Sequence, residues 1–115
     1  MERYYSDVLA ADRLRACYDV APKRTRQYLE AELAHVLEKI SPGRMVVELG
    51  CGYGRVLGRL CEKAACCVGI DTSIASIRLA KEDLIEGQNA RLSVMTAVAT
   101  GLRSGAFDLT LCIQN

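Results

Sequence analysis

Two acidic residues, each closing a short apolar run, carry the chemistry this sequence offers most openly. Glu48 sits in Met45-Val46-Val47-Glu48-Leu49, and Asp71 ends Cys66-Cys67-Val68-Gly69-Ile70-Asp71. Between them stands Gly50-Cys51-Gly52-Tyr53-Gly54-Arg55, where glycines allow a tight turn and leave no side chain between backbone and ligand. Asp71 lies about twenty residues past Gly50, the separation expected for the acid that ends strand two of a nucleotide-binding βαβ unit. A carboxylate there can accept charge-assisted hydrogen bonds from both hydroxyls of a ribose. An Asp after a strand also caps the following helix, and Thr72 and Ser73 offer alternative caps. Two acids in register at two strand ends favour ligand binding. This is a chemistry of holding: no catalytic acid or base is identified, and the single histidine, His35, falls on the polar face of its helix.

The glycine spacing separates two ligand classes. A dinucleotide fingerprint requires G-x-G-x-x-G. Its third glycine would be Arg55 counting from Gly50, or Leu57 counting from Gly52, which disfavours a nucleotide-dependent oxidoreductase. An acid followed by G-x-G-x-G instead resembles the first motif of class I S-adenosylmethionine-dependent methyltransferases. The resemblance extends from residue 45 to 115. Asp71 matches the acid after strand two, Thr96-Ala97 stands where the family commonly has Asp-Ala after strand three, and Phe107-Asp108-Leu109-Thr110-Leu111-Cys112 matches the fourth motif.

That resemblance implies a three-layer α/β Rossmann-like parallel sheet of order 3-2-1-4. It also implies S-adenosylmethionine as cofactor, with S-adenosylhomocysteine as product. Glu48 is then expected to orient the methionine end, with Gly50, Cys51 and Gly52 giving close backbone approach. Asp71 holds the ribose, Thr72 beside it is counted with the cofactor-binding residues, Thr96 and Ala97 meet the adenine, and Gln114 stands near the departing methyl group. Thr96 offers a hydroxyl but no charge, a loss of roughly 1–2 kcal/mol in cofactor binding, while backbone recognition through Ala97 survives. The family continues through three more strands, so the chain is expected to be a truncated cofactor-binding part lacking the last strands. Its fourth strand would leave an edge open to self-association or a partner. The methyl acceptor is unidentified. The alternative is a non-catalytic S-adenosylmethionine-binding or interaction module.

The elements that position these residues follow from periodicity. Val46, Val47 and Leu49 suit a strand covered on both faces. A helix from about Arg55 to Ala64 turns Val56, Leu57, Leu60, Cys61 and Ala64 inward, with Arg55, Arg59, Glu62 and Lys63 outside. Free N–H groups at its start are expected to make a mildly electropositive rim. A second helix, about Ile74 to Glu86, directs Ile74, Ile77, Ala80, Leu84 and Ile85 inward and ends at Gly87. Arg91–Met95 reads as strand three and Phe107–Ile113 as strand four, with Phe107, Leu109, Leu111 and Ile113 on one side.

Residues 1–43 read as a helical segment packed on or over the site, and 44–115 as the α/β domain. Val8, Ala11, Leu14 or Arg15, and Tyr18 recur at roughly helical spacing in the first. Tyr5 or Tyr18 could close a pocket there, although packing of an amphipathic helix explains both tyrosines as well. From Pro22, Leu29, Leu33, Val36, Leu37 and Ile40 form a stripe that Ser41-Pro42-Gly43 stops. Lys23, Arg24 and Arg26 suit a solvated helix start.

The 115 residues, half apolar and a quarter charged with a formal charge of +1, suit one soluble domain. They give no electrostatic footprint for nucleic acid or anionic membrane. Neither a membrane-spanning run nor an N-terminal signal is visible. Cys17, Cys51, Cys61, Cys66, Cys67 and Cys112 form no C-x-x-C, so they read as reduced core residues of a cytoplasmic protein, not as a metal site.

Overall fold

A computed structural model describes residues 11–84 and 89–113. The elements are α1 (Ala11–Asp19), α2 (Lys23–Glu38), β1 (Met45–Leu49), α3 (Leu57–Leu60), β2 (Cys66–Asp71), α4 (Ile74–Asp83), β3 (Ala90–Val94) and β4 (Leu109–Leu111). All strand pairs are parallel and the order is β3-β2-β1-β4, the α/β Rossmann-like arrangement expected. Glu48 lies opposite both Gly69 and Leu111, and Asp71 opposite Val94. The carboxyl ends of all four strands therefore meet at one border of the sheet, where ligands of such folds collect.

Apolar periodicity accounts for the core. Leu33 and Val36 of α2, with Ile40 just past its end, join Val46, Cys67 and the inward set predicted around α3 (Val56, Leu57, Leu60, Cys61, Ala64) in one buried cluster. Gly69 shows how tight the packing is. A β-carbon added there would stand 2.7 Å from Leu57 Cδ2 and 2.9 Å from Cys51 Sγ, so glycine is what lets the loop after β1 close onto β2. Asp108 clasps the start of the sheet: its amide donates to the Met45 carbonyl (2.8 Å) and its carboxylate accepts from the Met45 amide (2.9 Å).

Several expectations need correction. The regular part of α3 is four residues, not ten, and continues to Ala64 as turns that still bury the predicted stripe. So short a helix has too few aligned peptides for a terminal dipole. Ile74 is 56% exposed, because Ser73, whose Oγ accepts from the Ser76 amide at 3.1 Å, places Ile74 at the first helical position, turned off the sheet. Ser76 takes the buried place instead, with Ile77 and Ala80. β4 is three residues long within the predicted seven, although the half-buried alternation of Phe107, Leu109, Leu111 and Ile113 holds. Cys17 and Cys112 are exposed, not core residues; Cys51, Cys61 and Cys67 are buried. His35 is exposed, as read from the sequence. Val8, Tyr5, Ile85, Gly87 and Gln114 lie outside the described residues.

Helix α1 is fastened differently from the rest. None of its described side chains is buried. It lies against α4, with an ion pair from Arg15 to Asp83, and the Arg26 guanidinium of α2 donates to the carbonyl of Asp19.

Candidate functional site

The carboxyl border of the sheet opens into a cavity of about 530 Å³, within the range of small-molecule sites. Its β1 end is formed by Glu48 and the glycine turn, its β2 end by Asp71 and Thr72, and its β3 end by Met95, Thr96, Ala97 and Val98. Cys112 and Ile113 close the β4 side, and Leu14, Cys17 and Tyr18 reach over from α1. Thus Glu48, Gly50, Cys51, Gly52, Asp71, Thr72, Thr96 and Ala97, all singled out from sequence, line one space.

The turn after β1 is built by β2. Gly50, Gly52 and Gly54 adopt positive φ (73°, 57° and 88°), which side chains resist. The amides of Gly50 and Cys51 both donate to the Ile70 carbonyl, at 2.8 and 2.9 Å. The Gly52 amide donates to Asp71 Oδ2 at 2.9 Å, and Asp71 Oδ1 accepts from the Ser73 amide at 2.9 Å. Asp71 therefore holds the turn and the start of α4 together. These three amides face β2; they are not the N–H groups at the start of the following helix, for which the electropositive rim was expected.

Glu48 is treated in the opposite way. It is 2% exposed, and its Oε1 has no hydrogen-bond partner among the described residues. Burial raises its pKa from 4.5 to about 8; the Arg55 charge opposes that rise and the Asp71 charge adds to it. A buried acid without a partner is costly, and such costs concentrate at functional sites. Cys51, beside it, is no nucleophile: burial pushes its thiol far up, with Glu48 and Asp71 adding to the effect.

The positive charge at this end comes from a residue assigned to solvent on sequence grounds. Arg55 is half-buried, lines the cavity, and holds its guanidinium carbon 4.4 Å from the centre of the Tyr18 ring. Tyr18 meets Tyr53 edge-on at 6.2 Å, and Arg15 lies 5.6 Å over the Tyr53 ring. Sequence did mark Tyr18 as a possible cover, and it does line the cavity. Tyr53 was passed over inside the glycine motif, and its side chain joins the same cluster. The described residues contain no group of three His, Cys, Asp or Glu able to hold a metal ion, and none of their helices is long and apolar enough to cross a membrane.

The family described as "Methyltransferase domain" matches residues 46–115. The chain belongs to that family. Its fold is shared with the YcgJ protein of Bacillus subtilis (TM-score 0.64, 18% identity, 72% of this chain and 37% of that one). It is also similar to a dimethyladenosine transferase of Plasmodium falciparum (TM-score 0.63, 27% identity, 71% and 30%). A third likeness is to phosphoethanolamine N-methyltransferase 1 of Haemonchus contortus, solved with phosphoethanolamine and S-adenosylhomocysteine (TM-score 0.65, 22% identity, 85% and 23%). This methyltransferase domain thus spans between about a quarter and two fifths of the length of those proteins. No curated protein matches it.

Proposed function

We propose that this chain binds S-adenosylmethionine, as the cofactor-binding part of a methyltransferase acting on an acceptor not yet identified. One observation carries the reading: a buried carboxyl with an unpartnered oxygen, Glu48, opens onto the same cavity as the turn-bracing Asp71. Bound S-adenosylmethionine supplies a methyl group on a positively charged sulfur, a good leaving group.

The donor set fits that cofactor. Each Asp71 oxygen accepts one backbone N–H, leaving each a second acceptor position for a ribose hydroxyl. Glu48, ionised, answers the positive charges of the methionine end. Met95, Ala97 and Val98 offer an apolar surface for the base, with Thr96 in place of an acid. Thr96 Oγ1 already accepts from the Val98 amide at 3.3 Å, so this position shapes its own turn first. Beyond binding, these residues orient the tail and exclude water; methyl transfer needs mainly in-line positioning of the acceptor. The thiols of Cys51, Cys61, Cys66 and Cys67 suit a reducing compartment, so the cytoplasm is the proposed location.

A second reading, a binding or interaction module without turnover, is favoured by β4, which pairs only with β1 among the described strands. Its other edge is available to a second copy or a partner. Calorimetry tests the binding proposal: S-adenosylhomocysteine is expected to bind and NAD not. Methyl-transfer assays on the 115-residue chain, and on one extended by its downstream coding sequence, then separate enzyme from module. Activity of neither, with cofactor bound, supports the module.

A further inference from the structure

We infer that Arg55 anchors the carboxylate of the cofactor's amino-acid tail, and is the residue by which the cavity distinguishes a complete cofactor from a nucleoside lacking that tail. The inference rests on the binding proposal above and adds the residue that selects the tail.

The charge layout of the cavity points to it. The β3 end carries no charged lining residue, the β2 end carries Asp71, and the β1 end carries Glu48 and Arg55 together. Arg55 is the cavity's one cationic lining residue among those described. A ligand with an apolar base, a diol and a zwitterionic tail matches that sequence of surfaces in one direction only. At the β1 end the tail's cationic groups meet the unpartnered oxygen of Glu48, which leaves its carboxylate to the guanidinium.

The geometry of Arg55 suits this. Its guanidinium carbon stands 4.4 Å from the centre of the Tyr18 ring, a cation–π contact that holds the charge at this end of the cavity. A guanidinium carries its N–H donors in one plane, so a carboxylate in the cavity can take two at once. Arg55 takes part in none of the ion pairs that join Arg15 to Asp83, Arg44 to Asp108 and Arg59 to Glu30. Glu48 and Arg55 both line the cavity, and the Arg55 charge opposes the rise in the Glu48 pKa. A purely structural role, neutralising the two acids, would affect every ligand of the cavity alike.

Calorimetry on the 115-residue chain separates these roles, with S-adenosylhomocysteine and 5′-deoxy-5′-methylthioadenosine, which keeps the nucleoside and thioether but has no amino-acid tail. Arg55→Gln is expected to weaken S-adenosylhomocysteine about tenfold or more and to change methylthioadenosine by less than about twofold. Arg55→Lys restores part of the loss, as a point charge without the planar fork. Retained methylthioadenosine binding certifies that the variant's site is folded. Equal weakening of both ligands, or unchanged S-adenosylhomocysteine affinity, overturns the inference and leaves the cofactor reading standing. If the unaltered chain binds neither ligand, the cofactor reading fails, and this assignment with it.

Discussion

The ends of β1 and β2 lie side by side, and each presents a carboxylate to the same cavity, yet the fold treats the two acids in opposite ways. Asp71 is partly open, and each of its oxygens accepts a backbone N–H, from Gly52 and Ser73. Glu48 is nearly sealed, with one oxygen unpartnered and a pKa lifted to about 8. One acid helps to build the site before any ligand arrives. The other is kept at a cost, which a cationic ligand would relieve. The lesson is that acids equivalent in sequence position can divide architecture and recognition between them.

The largest expected effect is at the architectural acid. Asp71→Ala removes a ligand contact and leaves the Gly52 amide without its acceptor. S-adenosylhomocysteine affinity should drop at least tenfold, about 1.4 kcal/mol, and thermal stability should fall by about 1–3 kcal/mol for the lost bonds. Unchanged calorimetric affinity would reject the ribose assignment.

Glu48→Gln should separate the two roles by moving stability and binding in opposite directions. Between pH 4.5 and about 8 the folded protein retains a proton that the unfolded chain has released, so stability falls as pH rises through that window. The amide variant escapes this loss. Its melting temperature should exceed that of the unaltered chain by several degrees at pH 9, with the gap closing toward pH 4, while S-adenosylmethionine binds about fivefold more weakly at pH 9. A gap independent of pH would show that Glu48 does not titrate in this way.

A third outcome concerns the proton itself. A cationic ligand favours ionised Glu48, so binding of S-adenosylmethionine at pH 7 should release up to about one proton and tighten as pH rises toward 8. Calorimetry in buffers of different ionisation enthalpy reads this directly, and the release should vanish in Glu48→Gln. The smallest effect is at the β3 end, where Thr96→Asp should tighten S-adenosylhomocysteine about threefold by restoring an acidic acceptor for the base's amino group. A weaker complex would place the base elsewhere.

Much of this arrangement was legible in the chain. Apolar runs ending in acids, glycines at fixed intervals and stripes of 3.6 period report on elements that bury a face, and β1, β2 and the inward side of α3 were read from them. Arg55 was not, because a helical pattern assigns any charged residue off the stripe to solvent, whereas Tyr18, far away in the chain, covers it. Cys17 and Cys112 escaped for a related reason: apolar character suggested core, but one lies on a helix that buries nothing and the other beyond a three-residue edge strand. Ile74 failed at a boundary, where one residue of shift in the start of α4 rotates an apolar side chain outward.

Helix α1 roofs part of the cavity without sharing in the oily interior; rings and charges hold it. Such a fastening answers to dissolved electrolyte, since the range of charge attraction shrinks from about 30 Å at 0.01 M to about 3 Å at 1 M. The hold of α1 over the cavity is therefore expected to weaken as salt rises, while the strands beneath, buried against one another, keep their places.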